Sequence, residues 1–270
     1  MCSSIDLAHF RRVGWVRIAD AVPVELCDRL VAVLECELGV PVRDPRRWDE
    51  YSGVMRDLLP IWGHQAQWDI RQYPPLHRIW ARLWGSDALW VTLDSCRFSP
   101  PWRAGYAEPY GLHWDHDPWD DQTRMLQGVL ALTDTAADQG GFCCVPSLFD
   151  DRSSWPKAPV VDIDGDENWL AEATGCDIAF IPAKAGDLIV WDWRLPHSNS
   201  KNLSTRPRVA FYVAMYPNTN IALRDAAIES WRSGRCVPWW RNRRGYDRIE
   251  PWPPARLSEL GRRLIGLDAW

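Results

Sequence analysis

The chain has 270 residues, of which 46% are hydrophobic, and its formal net charge is -5. A hydrophobic content of this size is sufficient for the core of one large β-sandwich or barrel domain. The acidic balance argues against a general nucleic-acid-binding protein, which would usually be basic. No apolar run approaches the length needed to cross a bilayer, so we also expect no membrane contact.

Eight cysteines occur along the chain, and none forms a CxxC pair or follows the spacing of a disulfide framework. The first residues, Met1 to Asp6, do not resemble a signal peptide. We therefore expect reduced thiols and a cytoplasmic location.

The N-terminal part, residues 1–88, is predicted to be mainly helical. Helices are expected over residues 5–12, 22–38 and 76–84, and a strand over residues 14–18. The second helix has apolar residues at helical spacing, and Pro23 is tolerated in its first turn. Gly85 is expected to end the third helix.

Residues 89–217 are predicted to form an antiparallel β core, in which Gly-containing turn signals separate strand-like runs. These runs cover residues 89–98, 125–132, 142–145, 178–181, 188–191 and 209–216. A long polar loop is expected over residues 148–173. A C-terminal extension over residues 218–270, with a helix over 257–267, completes a single domain of residues 1–270.

A His-x-Asp motif at His113 and Asp115 precedes the second strand-like run. Because side chains alternate along an extended strand, these two are predicted to point the same way and Trp114 the opposite way. His197 follows Asp115 by 82 residues. Two imidazoles and one carboxylate can form a facial triad that leaves three positions of an octahedral Fe(II) open for oxygen chemistry. The sequence therefore predicts that these three residues are the iron ligands and the catalytic centre.

Two further features accompany the motif. Asp117 shares the alternating face with the two predicted ligands, but Pro118 indicates that the strand ends, so Asp117 is predicted to support a ligand or cap a turn. His116 is predicted to face outward. Arg208, which follows His197 by 11 residues, could hold the carboxylate of an organic acid that chelates the metal.

Over residues 10–217 the chain resembles the phytanoyl-CoA dioxygenase-like (PhyH-like) branch of the Fe(II)/2-oxoglutarate oxygenases. In that family an HxD pair begins the site, a His closes it, and an Arg about eleven positions later binds 2-oxoglutarate. These residues match His113, Asp115, His197 and Arg208. The resemblance implies a mainly β fold, a double-stranded β-helix of the jelly-roll or cupin-like kind with flanking α-helices.

Two details qualify the match. Residues 140–147 resemble a family segment that usually reads GG-x-x-x-VPGSH, but Ser147 stands where Gly is usual. Arg206 competes with Arg208 for the co-substrate, since both face one side of an extended strand. Pro207 places Arg206 in the approach turn, and the family spacing favours Arg208.

The resemblance implies that Fe(II), 2-oxoglutarate and O2 are the cofactors and that 2-oxoglutarate is converted to succinate and CO2. Halogenating relatives have Gly or Ala in place of the carboxylate, so Asp115 favours hydroxylation of a C–H bond. Desaturation, cyclisation and epimerisation remain open. The expected substrate is a small molecule, with specialised metabolism as a plausible setting, and the oligomeric state is not predicted. The alternative is a metal-binding cupin-like protein without oxygenase activity, with a regulatory or binding role.

Several polar residues are weaker candidates for binding the co-substrate. Gln127 and Ser99 are the two that we assign to it, and Ser198 and Asn202 are further candidates. Trp191 and Trp193 are one strand step apart, so they are predicted to share a face that looks toward the cavity.

Overall fold

The computed structural model describes residues 5–48, 59–103, 111–115, 124–150, 175–243 and 245–270. The predicted helices are present with small shifts at their ends. In chain order the described α-helices are α1 (Leu7–Val13), α2 (Val24–Glu37), α3 (Gln65–Arg71), α4 (Pro74–Trp84), α5 (Ser147–Asp150), α6 (Ile221–Ser233) and α7 (Glu259–Ile265). The sequence analysis missed α3, α5 and α6, and α5 overlaps the start of the polar loop that was predicted over residues 148–173. None of the described helices is both long and apolar enough to cross a membrane.

Local signals explain where these helices begin and end. The Asp6 side chain accepts a hydrogen bond from the backbone N–H of His9 at 2.8 Å and caps α1. Gly14 and Gly85 end α1 and α4 in the left-handed conformation, at φ 81° and 72°. Pro23 precedes the first residue of α2, as its fixed φ allows.

The strands form two antiparallel sheets and one short pair. In chain order they are β1 (Trp15–Ile18), β2 (Leu89–Val91), β3 (Cys96–Ser99), β4 (Leu126–Ala131), β5 (Phe142–Cys144), β6 (Ala179–Phe180), β7 (Leu188–Asp192), β8 (His197–Asn199), β9 (Arg208–Tyr212) and β10 (Met215–Pro217). The larger sheet has the order β1-β7-β4-β9-β3, the smaller one β6-β5-β8, and β10 pairs with β2.

Two of the strand predictions were wrong. The run over residues 89–98 is two strands, and so is the run over 209–216. At the first break Thr92 donates its N–H to Ala214 O and accepts from Ala214 N through its hydroxyl, at 2.9 and 3.1 Å. Both segments of the chain therefore leave the larger sheet at this point, and the parts beyond it pair with each other as β2 and β10.

The two faces of the larger sheet have different partners. The face with Val190, Leu130 and Phe211 belongs to the main apolar cluster, which also contains buried residues of α2 and α4. Gly128 lies on this face, where a Cβ atom would lie 2.7 Å from the Trp80 ring, so the strand and the helix approach closely.

The opposite face packs against the smaller sheet. Val129, Ile189 and Ala210 form one cluster there with Phe142 and Cys144 of β5. The described architecture is a layer of helices, a five-stranded sheet and a three-stranded sheet. The space between the two sheets is called the inter-sheet region below. The division into segments 1–88, 89–217 and 218–270 stays a prediction.

Candidate active site

His113 and His197 lie directly opposite each other across an isolated antiparallel bridge. Each donates its backbone N–H to the carbonyl oxygen of the other at 3.1 Å. His197 is also held from its other side, where it is in register with Cys144. The prediction of an extended strand through the His-x-Asp motif holds only at His113, since Asp115 lies in a bend. The bend brings Asp115 between the two histidines, whose positions are fixed by the bridge.

The three side chains form a compact cluster, called the triad below. One ligand atom from each residue lies within 4.8 Å of the others. His113 Nε2 is 3.6 Å from Asp115 Oδ1, and His197 Nε2 is 3.3 Å from Asp115 Oδ2. The histidine rings have centroids 5.0 Å apart. Among the described residues, these are the three side chains that lie close enough together to hold one metal ion.

The backbone fixes which nitrogen of each histidine faces the centre. His113 Nδ1 lies 2.7 Å from Gly111 O, and His197 Nδ1 lies 2.9 Å from Leu195 O. A carbonyl oxygen can only accept, so each Nδ1 carries the proton and each Nε2 presents a lone pair. Outer hydrogen bonds of this kind orient histidine ligands in metal sites. Both imidazoles are therefore arranged as neutral ligands.

The electrostatics of the triad keep the carboxylate charged. Burial opposes ionisation of Asp115, but hydrogen bonds and charge from the two histidines outweigh it and hold its pKa well below the usual value. Burial also opposes protonation of His113, yet the neighbouring Asp115 raises the His113 pKa above the usual value. Without a metal the site therefore attracts positive charge, which a divalent cation can supply in place of protons.

Arg208 is a buried cation that faces the inter-sheet region. It lies opposite Ser99 in the β3–β9 pair, and its residue is 3% exposed. Burial lowers the Arg208 pKa below its usual value, and the nearby Tyr212 side chain partly opposes this shift. Arg208 Nη1 has no hydrogen-bond partner among the described residues, and none of their carboxylates forms an ion pair with it. A buried cation that lacks its anion is suited to bind one.

Arg206 occupies a different environment, although it is only two residues away. It is exposed, and its Nη2 donates to Gln139 Oε1 at 3.1 Å. Asn202 anchors the same turn by donating to Arg206 O at 2.8 Å and to Ser99 O at 3.0 Å. Asn202 is therefore committed to the turn, and the buried position with a free donor belongs to Arg208.

A short chain of polar side chains connects the triad with Arg208. Asn199 follows His197 by two residues on β8, so the two side chains share a face. Asn199 Nδ2 donates to the Tyr212 hydroxyl at 2.9 Å, and that residue contacts Arg208. The sequence analysis missed Asn199 and Tyr212. The alternation that paired His113 with Asp115 would have identified both, two residues after His197 and four after Arg208.

The weaker candidates are placed as follows. Gln127 donates through Nε2 to Asp115 Oδ2 and accepts from Trp191 Nε1 at 2.8 Å. Ser99 lies opposite Arg208 in the β3–β9 pair. A co-substrate contact for Gln127 and Ser99 stays a prediction. The Trp191 ring has its centroid 5.0 Å from that of His197.

Other predictions are not decided by these contacts. Trp193 is buried but follows the end of β7, so strand alternation does not apply to it. His116, Asp117 and most of the predicted loop over 148–173 lie outside the described residues.

A family profile described as Phytanoyl-CoA dioxygenase (PhyH) matches residues 10–210 of the chain. This chain belongs to that family. The matched segment contains the triad and Arg208, and the cofactors of the family are Fe(II), 2-oxoglutarate and O2. Two imidazoles and a carboxylate suit Fe(II), and the unpartnered Nη1 suits a carboxylate, so the residues present fit this cofactor set.

Similar proteins cover most of the chain. A Dictyostelium discoideum protein with a provisional phytanoyl-CoA dioxygenase name is 21% identical, covering 96% of this chain and 86% of its own length. The epimerase SnoN, solved with Fe3+, alpha ketoglutarate and nogalamycin RO, is 16% identical, covers 93% of each chain and has a TM-score of 0.53. The carbocyclase SnoK from nogalamycin biosynthesis is 21% identical, with 77% and 81% of the two chains covered and a TM-score of 0.52. The two structures show a shared fold.

Proposed function

We propose that this protein is a non-haem Fe(II)- and 2-oxoglutarate-dependent dioxygenase that hydroxylates a C–H bond of a small molecule on a double-stranded β-helix. One observation carries the proposal. The triad and a buried Arg208, whose Nη1 has no hydrogen-bond partner among the described residues, both lie at the inter-sheet region, and Asn199 and Tyr212 connect them. Family membership supports the class of reaction.

Each residue has a defined part in this proposal. His113, Asp115 and His197 would hold the metal through two Nε2 atoms and one carboxylate oxygen. The bound Fe(II), with 2-oxoglutarate and O2, supplies an oxidant strong enough to attack an unactivated C–H bond. Three protein ligands leave three positions open, which is the number needed for a chelating co-substrate and O2.

Arg208 would bind the carboxylate of 2-oxoglutarate that is remote from the metal. His197 and Asn199 are two residues apart on a strand, which is about 6.6 Å. The Asn199–Tyr212 hydrogen bond and the nearness of Tyr212 to Arg208 therefore connect the cation with the strand that carries His197. Nη1, which has no hydrogen-bond partner among the described residues, would bind the ligand.

The reaction type rests on Asp115 and on the similar structures. A carboxylate at this position occupies a metal site that chloride would need, which favours hydroxylation over halogenation. SnoN and SnoK, an epimerase and a carbocyclase, have the same fold. Epimerisation and cyclisation are accordingly the second candidate outcomes, and the position of the substrate C–H bond would decide among them. We expect a small-molecule substrate, because the acidic chain of net charge -5 does not favour nucleic acid.

The rival function is a cupin-like metal-binding protein without oxygenase activity. Such a protein has no use for a buried cation beside its metal site, whereas an oxygenase needs one. The test is to add Fe(II) and 2-oxoglutarate without oxygen and to record the weak visible metal-to-ligand absorption of the chelate. We expect the band, followed by succinate formation when O2 is admitted. Iron binding with neither the band nor succinate would support the rival.

A further inference from the structure

The side chains of Trp191, Gln127 and Asp115 form a hydrogen-bonded row that ends in the triad. Gln127 and Trp191 lie directly opposite each other in the β4–β7 pair, with both side chains on the face toward the smaller sheet. Trp191 Nε1 donates to Gln127 Oε1 at 2.8 Å, and Gln127 Nε2 donates to Asp115 Oδ2. The row therefore runs from the wall of the larger sheet to a predicted metal ligand.

The indole determines which way the carboxamide faces. An indole N–H can only donate, so it selects the oxygen end of Gln127. The NH2 end must then face Asp115, and a carboxylate can only accept from it. If the carboxamide were reversed, a donor would face a donor at Trp191 and an acceptor would face an acceptor at Asp115. Trp191 thus removes the ambiguity that an isolated glutamine side chain would have.

We propose that Gln127, oriented by Trp191, is a positioning residue that holds Oδ2 of Asp115 so that the carboxylate binds the metal through one oxygen only. The inference rests on the proposed function, because it concerns the same metal site. Oδ1 lies 3.6 Å from His113 Nε2, and Oδ2 lies 3.3 Å from His197 Nε2, so both oxygens face the histidines and the Gln127 hydrogen bond is what distinguishes them. The second N–H of the carboxamide stays available for a co-substrate.

Ligation through one oxygen has a chemical consequence for this site. A carboxylate can also bind a metal with both oxygens, and the second oxygen then occupies one of the open positions. An oxygenase of the proposed type needs three such positions. Gln127 would therefore keep the third position open and would also stabilise the charged carboxylate. Removing it should weaken metal binding and change the coordination.

The test uses Mn(II) as a redox-stable probe, without 2-oxoglutarate, and measures its dissociation constant from the electron paramagnetic resonance signal of the free ion. Gln127→Met retains the side-chain length but removes both hydrogen bonds. We expect the dissociation constant to rise about 10- to 100-fold, as for other partners of metal ligands. Trp191→Phe should raise it less, because the carboxamide then loses only its orientation.

The double variant separates positioning from packing, since the Trp191 ring also lies beside His197. If Trp191 acts through Gln127, Trp191→Phe should change the Mn(II) constant by less than about twofold in the Gln127→Met background. An equal effect in both backgrounds would assign Trp191 to packing and overturn that part of the proposal. Trp80→Phe is the matched control: this buried indole lies against the other face of the sheet, and its Nε1 has no hydrogen-bond partner among the described residues. It should leave the Mn(II) constant unchanged.

The coordination is tested with Co(II), whose visible absorption responds to the number of ligands. We expect a different Co(II) spectrum in Gln127→Met and the wild-type spectrum in Trp80→Phe. Asp115→Ala distinguishes two failures. If it binds Mn(II) as tightly as wild type, the metal site itself is wrong. If it loses Mn(II) while Gln127→Met keeps the wild-type constant and Co(II) spectrum, only the positioning inference is wrong.

Discussion

Arg208→Met is expected to weaken co-substrate binding strongly without harming the fold. Arg208 is 3% exposed, its Nη1 has no partner among the described residues, and the Tyr212 side chain lies near enough to affect its pKa. Met fills a similar volume without a charge. In the ligand-free protein the change removes a buried cation that lacks an anion, so the free energy of unfolding should be retained or rise.

The loss of affinity follows from the bonds that 2-oxoglutarate would lose. A hydrogen bond to a charged group contributes about 1.5–3 kcal/mol, and an arginine can give a carboxylate two. Allowing for the Tyr212 contact, we expect a loss of about 2–4 kcal/mol, which corresponds to a rise of about 30- to 1000-fold in the dissociation constant of 2-oxoglutarate. Metal binding should not change, because Arg208 is not in the triad.

The assay compares thermal unfolding with Mn(II) alone and with Mn(II) plus 2-oxoglutarate. At 100 times the wild-type dissociation constant the ligand stabilises the wild type by about 2.7 kcal/mol, and most of this should vanish in Arg208→Met. Arg206→Met is the matched control and should keep the shift, because Arg206 is exposed and contacts Gln139. A normal shift in Arg208→Met, or its loss in Arg206→Met alone, would refute the assignment of the anchor.

Three further predictions concern the metal, the fold and the thiols. His113→Ala, Asp115→Ala and His197→Ala should each lose iron in elemental analysis while the circular dichroism spectrum is retained; full iron in all three would contradict the triad. Glu250 is buried and accepts from two backbone N–H groups, so Glu250→Ala should lower the free energy of unfolding in urea by about 2–4 kcal/mol, and Glu250→Gln by less. Burial raises the Glu250 pKa, so the folded state holds the proton more tightly than the unfolded state does. The stability of the wild type relative to Glu250→Gln should therefore fall as pH rises from about 4.3 to that raised pKa. A stability difference that does not change with pH would argue against this prediction. The seven described cysteines are free, and intact-mass analysis under non-reducing conditions should show no disulfide among them.

The sequence was a good guide wherever the determining interactions are local. Helix α1 begins at the Asp6 cap and ends at Gly14, and α4 ends at Gly85, as local signals of this kind predict. It was a poor guide to α3, α5 and α6. It was also wrong about the single strands over residues 89–98 and 209–216, because the breaks occur where two distant segments contact each other at Thr92 and Ala214.

The sequence by itself determined the chemistry that is available at the site. The types and spacing of His113, Asp115, His197 and Arg208 indicated an iron centre with an anion-binding arginine, because metal preference follows from the donor atoms. Family membership agrees with that interpretation. These properties belong to individual side chains, and no knowledge of strand pairing is needed to recognise them.

Only the tertiary structure decided how these groups are held. The bridge between His113 and His197, the burial of Arg208 against exposed Arg206, and the orientation of Gln127 by Trp191 all depend on which strands pair and in which register. Register is a long-range property, and a shift of one residue would turn each of these side chains to the opposite face. Side-chain alternation along a strand was enough to propose the ligands from the sequence. Identifying the residues that orient the ligands also required the pairing and register of the folded sheets.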